Sequence, residues 1–473
     1  MESPETLTFR FENNLVEGAE RPAMKRRRVA VLGGGMTGSV LSLHAKRLNA
    51  GEITLFERAD ILGGLHKSPE VDGFPYDIGA FFFSPDHPVF RIFPGLIDHF
   101  VEFDLRVRTV TEGGKQDRYP LSISGYRKNH GSLTMLRAGA SILWNKWANR
   151  TRDTLPAICR YYVGDVIYMG GGLKNYIERL YSLHDHEIDP LFATKRMAKL
   201  VDLAGFRNRF ATSLRDAWKP RKHAVALARP RAGFQHMYAV IECALTAEGV
   251  DVRTEANVQG IEKDERGFLV STDRKTERFD AVVSTIPVPV TARLIDIPIH
   301  QRFETVSLLT LFYSFEGDPG FDAEVMSNFS NSGRWKRMID FSGPYGRSHE
   351  LHRISVEIPL APHSGPVDIQ AAHRDFMASA HSLGLLVDGD IELLGHHLTP
   401  HAYPIYRTDA VADLERDKQA ISDWGILLCG RQGAFDYVSS AAAAANAIAM
   451  AERLARDAAT ALTPSNRWRP SHS

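Results

Sequence analysis

The sequence predicts an α/β fold with a parallel sheet, interrupted by a region of antiparallel sheet and helices. Three observations predict it. A strand, a glycine turn, a helix and a second strand follow one another in "VAVLGGGMTGSVLSLHAKRLNAGEITLFER". The same grammar returns after a long excursion in "RAGFQHMYAVIECALTAEGVDVRTEANVQGIEKDERGFLVSTDRKTERFDAVVSTIP". A last strand, turn and helix closes the chain in "WGILLCGRQGAFDYVSSAAAAANAIAMAERLARDAA".

In the first unit, Val29 to Leu32 is a short apolar run suited to a buried parallel strand. Gly33, Gly35 and Gly38 make GxGxxG. The first glycine permits the tight turn, the second lets backbone approach a pyrophosphate, and the third lets the helix pack on the strand. Ser39 to Leu48 is the expected helix, and "EITLFER" the second strand. That strand ends at Glu57, whose carboxylate can accept hydrogen bonds from a ribose diol. Together these features predict a Rossmann-like dinucleotide site, of the kind that also serves NAD(P).

"ADILGGLHKSPEVDGFPYDIGAFFF" follows at once. Gly63 and Gly64 form a second flexible turn placed to pass the same pyrophosphate, and "GFPYDIGAFFF" alternates like a strand. This pairing of motifs resembles the flavin amine oxidase and protoporphyrinogen oxidase-like superfamily, which also contains the UDP-galactopyranose mutases. The resemblance implies a GR2-type FAD-binding domain with FAD as a retained cofactor. Gly33, Gly35, Met36, Thr37 and Gly38 would then hold the pyrophosphate. Glu57, with Arg58 beside it, would hold the adenosine ribose, and Gly63, Gly64 and Leu65 would run along the cofactor.

From Tyr161 to Leu200, aromatic and aliphatic residues recur at helical spacing, and "EIDPLFATKRM" reads as a turn entering a helix. In the second unit, His236 to Thr246 is the expected helix. "VDVRTEANVQGIEKD" reads as a strand with its extension, and "GFLVST" and "FDAVVSTIP" are further strands. By the resemblance, Val258 is an adenine contact. The segments "SLLTLFYSF", "NFSNSGRWKRMIDFSGPYG" and "HRISVEIPL" nearly alternate and predict an antiparallel sheet standing over the cofactor. Arg334, Lys336 and Arg337 lie together there and could meet an anionic substrate.

In the closing unit "GILLCG" is a buried strand, "GRQGAFDYV" a turn, and Ser439 to Ala455 a helix. The turn puts backbone N–H groups at the helix entry, where negative charge is stabilised. The resemblance implies that Gly430 and Arg431 meet FAD and that Tyr437 lies near its ring. The expected division is a FAD-binding domain from 28–100, 225–290 and 415–460, with 101–224 and 291–414 forming substrate-binding and helical regions. Residues 1–27 and 461–473 are expected to be flexible ends.

Two chemistries compete within this group. Oxidases and dehydrogenases move hydride from a C–H bond to flavin N5, whereas mutases use reduced flavin as a nucleophile on a nucleotide sugar. "RYPLSI", "GRWKRMIDFSG" and "HAYPIYRTDA" resemble the mutase pattern. Against it, Phe81, Phe82 and Phe83 stand where mutases carry a histidine, and one phosphate-gripping arginine has no equivalent. The expectation is therefore FAD-dependent hydride transfer from a small organic substrate, with the UDP-galactopyranose mutase-like reaction as the alternative. Phe82, Arg337, Tyr403 and Tyr437 are the candidate substrate contacts, and no residue is assigned as catalytic.

Composition removes other classes. Lys plus Arg and Asp plus Glu number 57 each in 473 residues, which gives nucleic acid no basic surface to recognise. Three cysteines without regular spacing, together with scattered histidines, predict neither disulfides nor a metal site, and suggest a cytoplasmic setting. No run reaches the roughly 18 apolar residues of a membrane span. "SLTMLRAGASILWNKW" reads either as an apolar helix or as a monotopic surface. A small-molecule substrate is the expected partner, a nucleotide sugar among the candidates, and a homodimer is allowed.

Overall fold

The computed structural model describes residues 27–196, 224–299, 303–347, 350–362 and 364–462. Most of both expected flexible ends, and the tail of the segment after Arg196, lie outside the described residues. The α/β fold is as the sequence predicts, with a parallel sheet combined with a larger antiparallel one.

The parallel sheet has five strands drawn from distant parts of the chain. Its order is Leu427–Leu428, Ala281–Ser284, β1 (Arg28–Leu32), β2 (Glu52–Phe56) and Asp251–Arg253. β1 sits at the centre, with Val31 opposite both Leu55 and Val283. Its side chains alternate between two cores. Val29 and Val31 pack with α1 (Met36–Arg47) and the closing helix Ser440–Leu462, while Ala30 and Leu32 enter a second core with Phe56 and Val282. Burial on both faces explains why these strands read as continuous apolar runs.

The antiparallel layer has seven strands, with Thr305–Asp318 between Asp388–Pro404 and Leu351–Leu360. Arg337–Asp340, Val325–Asn328, Val107–Val110 and Gln116–Arg118 complete it, the pairing of Val325–Asn328 with Val107–Val110 being parallel. A helical group, Ile123–Ala148, Leu155–Gly170 and Leu173–Tyr181, follows Gln116–Arg118 in the chain; its first helix touches that strand and its last touches Leu351–Leu360.

Four sequence expectations change. "GFPYDIGAFFF" is not one strand. Only Phe74–Pro75 pairs, with Glu70–Val71, and the following backbone bonds to other groups: the Ala80 N–H donates to Glu357 and the Phe83 N–H to the Leu227 carbonyl. "VDVRTEANVQGIEKD" splits into two strands in different sheets, parted by a turn in which Glu255 has φ +49°. The "GILLCG" strand shortens to Leu427–Leu428, because a short helix over Gly430–Gly433 replaces the expected open turn. The closing helix continues to Leu462, past the expected end at Ala455. The strand Ala224–Ala228 pairs with Val101–Leu105 and stands outside the parallel sheet.

Candidate active site

The glycine loop is built so that three pieces of backbone meet. Gly33 adopts φ +99°, and its N–H donates to the Phe56 carbonyl at 2.8 Å, which ties the turn to the end of β2. A Cβ on Gly38 would sit 1.9 Å from the Gly33 carbonyl oxygen, so only glycine lets α1 start this close to β1. Gly63 donates to the Gly34 carbonyl at 3.0 Å, and a Cβ on Gly64 would lie 3.1 Å from Gly35 Cα. The two glycine motifs are thus in direct contact. Leu65 is half-buried beside them.

Glu57 closes this loop from the far end of β2. Its carboxylate accepts from the Gly34 N–H at 2.7 Å and from the Ala59 N–H at 2.9 Å. Arg58 points outward and is exposed. The Ala256 N–H donates to the Glu57 carbonyl, which brings the strand beginning at Val258 to the same end of the sheet. Val258 itself is half-buried and packs on the neighbouring core.

The closing signature reaches the same place. Gly430 has φ +83°, and a Cβ there would lie 2.4 Å from Thr37 Oγ1, so this turn lies directly against the first turn of α1. α1 has no side-chain N-cap and no acid in its first turn, so its N-terminal amides keep their attraction for an anion. Arg431, next in the chain, has its guanidinium 5.0 Å from the Tyr403 ring centre and 4.8 Å from that of Tyr437. Its buried Nε and one terminal nitrogen have no hydrogen-bond partner in the protein. Unpaired buried donors of a permanent cation are costly, and an acceptor-rich group is what would satisfy them. A glycine cradle, an uncapped helix entry and partnerless guanidinium donors all fit the diphosphate and ribityl oxygens of FAD.

Beyond Arg431 runs a buried polar chain. The Tyr403 and Tyr437 rings are 5.3 Å apart, and the Tyr437 N–H donates to the Tyr406 hydroxyl at 2.8 Å. Lys336 Nζ donates to the Tyr403 hydroxyl at 2.8 Å and lies 2.9 Å from Glu357. Arg337 donates to Glu357 through Nε, at 2.8 Å, and through a terminal nitrogen. Glu357 also accepts the Ala80 N–H at 3.0 Å, two residues before Phe82. Lys336 and Glu357 are essentially inaccessible to water. Burial alone would push the Glu357 carboxyl up, but Arg337 and Lys336 together hold it at about 2. Burial pulls the Lys336 ammonium below its ordinary range, and Glu357 opposes that fall.

Three of the four candidate substrate contacts, Arg337, Tyr403 and Tyr437, therefore belong to one connected cluster. The expected trio of Arg334, Lys336 and Arg337 does not converge. Arg334 is turned to solvent beside Asp375, because it lies in the irregular segment before the strand Arg337–Asp340, where its own N–H donates to Asp375 and its guanidinium faces the same carboxylate. The three phenylalanines also part company: Phe81 and Phe83 pack on His66 and Phe234, while Phe82 meets Phe103. Sequence reasoning missed Glu357 and Tyr406. For Glu357 the signal was present, as the lone acid of the apolar strand "HRISVEIPL". Among the described residues, no group of three or more His, Cys, Asp or Glu side chains could hold a metal ion.

A profile of the family described as flavin containing amine oxidoreductase matches residues 44–352. No curated protein matches the chain by sequence. Among solved structures, a reduced UDP-galactopyranose mutase is similar over 90% of this chain and 93% of its own, with TM-score 0.71 and 15% identity. A protein from Exiguobacterium sp. 255-15, provisionally named a protoporphyrinogen oxidase, is similar over 91% and 99%, with TM-score 0.68 and 16% identity. A putrescine oxidase redesigned in its cofactor binding is similar over 92% and 99%, with TM-score 0.60 and 16% identity. At these identities the likeness establishes the fold.

Proposed function

The chain belongs to the flavin containing amine oxidoreductase family, and from that premise we propose that it is an FAD-dependent oxidase or dehydrogenase, taking hydride from a small organic substrate onto flavin N5. In this reading Gly33, Gly35, Gly38 and Gly64 give the cofactor room, and Glu57 orders the loop beside its ribose. Arg431 supplies the donors for its oxygens. The Lys336–Glu357–Arg337 cluster holds the Tyr403 hydroxyl on one side and, through the Ala80 N–H, the backbone leading to Phe82 on the other. These groups orient the reacting partners and exclude water, which is the protein's part in hydride transfer.

One observation carries the redox reading over the mutase reading. A mutase needs arginines free to grip a diphosphate, and apart from Arg431, which this reading gives to the cofactor, Arg337 and Arg179 are already committed. Arg337 is held by Glu357 through two donors, and Arg179 donates to the backbone carbonyls of Asn328, Ser330 and Gly333. The alternative, a nucleotide-sugar mutase, draws support from the charge of the cluster. Lys336, Arg337 and Arg431 set three cations against the single carboxylate of Glu357, a balance that suits an anionic substrate.

The two separate in an anaerobic titration of oxidised enzyme. Bleaching of the visible flavin band by an amine, a saturated ring or another hydride donor is the expected result. If no donor bleaches it, while the dithionite-reduced enzyme interconverts pyranose and furanose nucleotide sugars without net electron transfer, the mutase reading replaces it.

A further inference from the structure

The helix Ile123–Ala148 has one face that nothing in the described residues covers. Its inner face, with Tyr126, Ala138, Ile142 and Asn145, is buried. Helix Leu155–Gly170 packs closely there: a Cβ on Gly164 would lie 2.8 Å from the Ile142 nitrogen, and Asn145 donates to Asp165 at 2.8 Å. The opposite face carries Leu133, Leu136, Leu143, Trp144 and Trp147, each at least 60% exposed. Gly131 breaks the helix at φ +83°, so these residues belong to one continuous helical stretch after it. At about 100° per residue, they fall within an arc of about 100°, a single apolar stripe. Five large apolar side chains aligned along one exposed stripe are unlike the scattered apolar residues of an ordinary surface.

The charge around the stripe is one-sided. Within the helix the chain carries Arg127, Lys128, Arg137 and Lys146 and no Asp or Glu, and Arg150 and Arg152 follow before the first acid, Asp153. An apolar stripe with two tryptophans, set among cations, matches the interface of a bilayer that contains acidic lipids. The rings enter the headgroup boundary and the basic heads reach the phosphates. Among the described residues no helix is long and apolar enough to cross a membrane, so the helix would lie along the surface.

We propose that the exposed face of helix Ile123–Ala148 docks this protein onto an anionic phospholipid surface, with Trp144 and Trp147 as the inserted side chains. This inference is independent of the reaction chemistry, because lipid binding is measured without turnover.

The test is flotation of the full flavin-loaded chain with vesicles of phosphatidylcholine, with and without phosphatidylglycerol. Binding is expected to require phosphatidylglycerol and to fall as salt screens the basic residues. The Trp144→Ser/Trp147→Ser double variant should lose binding by roughly tenfold or more. Arg137→Glu should lose roughly tenfold on acidic vesicles alone. Both variants should keep the wild-type flavin content, since these side chains face outward. Wild-type protein that never floats overturns the proposal. If the double variant then shifts from dimer to monomer on gel filtration, the face belongs to a second copy. If its mass is unchanged, the face serves neither a lipid surface nor a second copy. Flotation equal in wild type and double variant also overturns it.

Discussion

Replacing Glu357 by glutamine removes one charge from the buried cluster and changes its shape little. The amide oxygen can still accept the Ala80 N–H, but Lys336 and Arg337 lose the only carboxylate between them. Breaking a fully buried pair by removing one partner costs about 3–5 kcal/mol, because the surviving charge stays desolvated. With about 2.1 cal/mol/K of unfolding entropy per residue, a chain of 473 residues has about 1 kcal/mol/K in all. The expected drop in Tm is therefore roughly 3–5 °C. The pH dependence has a definite sign. Burial already places the folded Lys336 below its ordinary value of 10.5, and losing Glu357 removes the main influence raising it. Between the folded value and 10.5 the unfolded chain binds more protons, so stability increases with pH. The deficit of the variant should accordingly shrink as pH rises toward 10.5, as Lys336 sheds its proton. Thermal melts of flavin-loaded wild type and Glu357→Gln across neutral to alkaline pH measure it. The Lys336→Met/Glu357→Gln double variant should recover part of the loss, since one uncompensated charge is gone. A Tm within 1 °C of wild type, or a deficit that grows with pH, refutes the reasoning.

Other perturbations read other parts of the site. Gly430→Val puts a branched side chain at φ +83° and against Thr37, and should release flavin at least tenfold more readily, seen by ultrafiltration. Glu57→Gln loses charge-assisted bonds to the Gly34 and Ala59 N–H groups and should weaken FAD retention by about 1.5–3 kcal/mol, measured by flavin titration of the apoprotein. His66 is held neutral by burial, its value lowered to about 3, and stacks on Phe234. Below pH 6.5 the unfolded chain gains a proton that the folded chain refuses, so stability falls toward pH 3. His66→Phe should flatten that limb of the Tm profile, and an unchanged slope would assign the acid sensitivity elsewhere.

Much of the nucleotide-binding half was legible because its constraints are local. Gly38 is required by a backbone approach to Gly33, five residues away, Gly33 by its own φ of +99° and Gly64 by its approach to Gly35 within the same short stretch of chain, and a strand ending in an acid announces itself. The C-terminal turn was legible for the same reason, although its packing of Gly430 on Thr37 spans most of the chain. The polar cluster was only half legible. Arg337, Tyr403 and Tyr437 were singled out separately, but nothing local says that Glu357 joins Lys336 and Arg337, since that meeting depends on strand register. The loop from Asp77 to Phe83 was misread because alternation resembles a strand wherever side chains alternate. Its backbone is instead held by groups from remote segments, Glu357 and Leu227. The exposed stripe on Ile123–Ala148 could not be separated from core by periodicity, which is the same for both.

The central claim is that the converging glycines and Arg431 form a site for FAD. The most direct measurement is the visible spectrum of the purified protein, followed by chromatographic identification of the flavin released on denaturation. The account predicts a yellow protein that releases FAD and, once stripped, takes FAD up again in preference to FMN. A colourless protein that takes up no FAD from solution, or one that retains FMN instead, would contradict it.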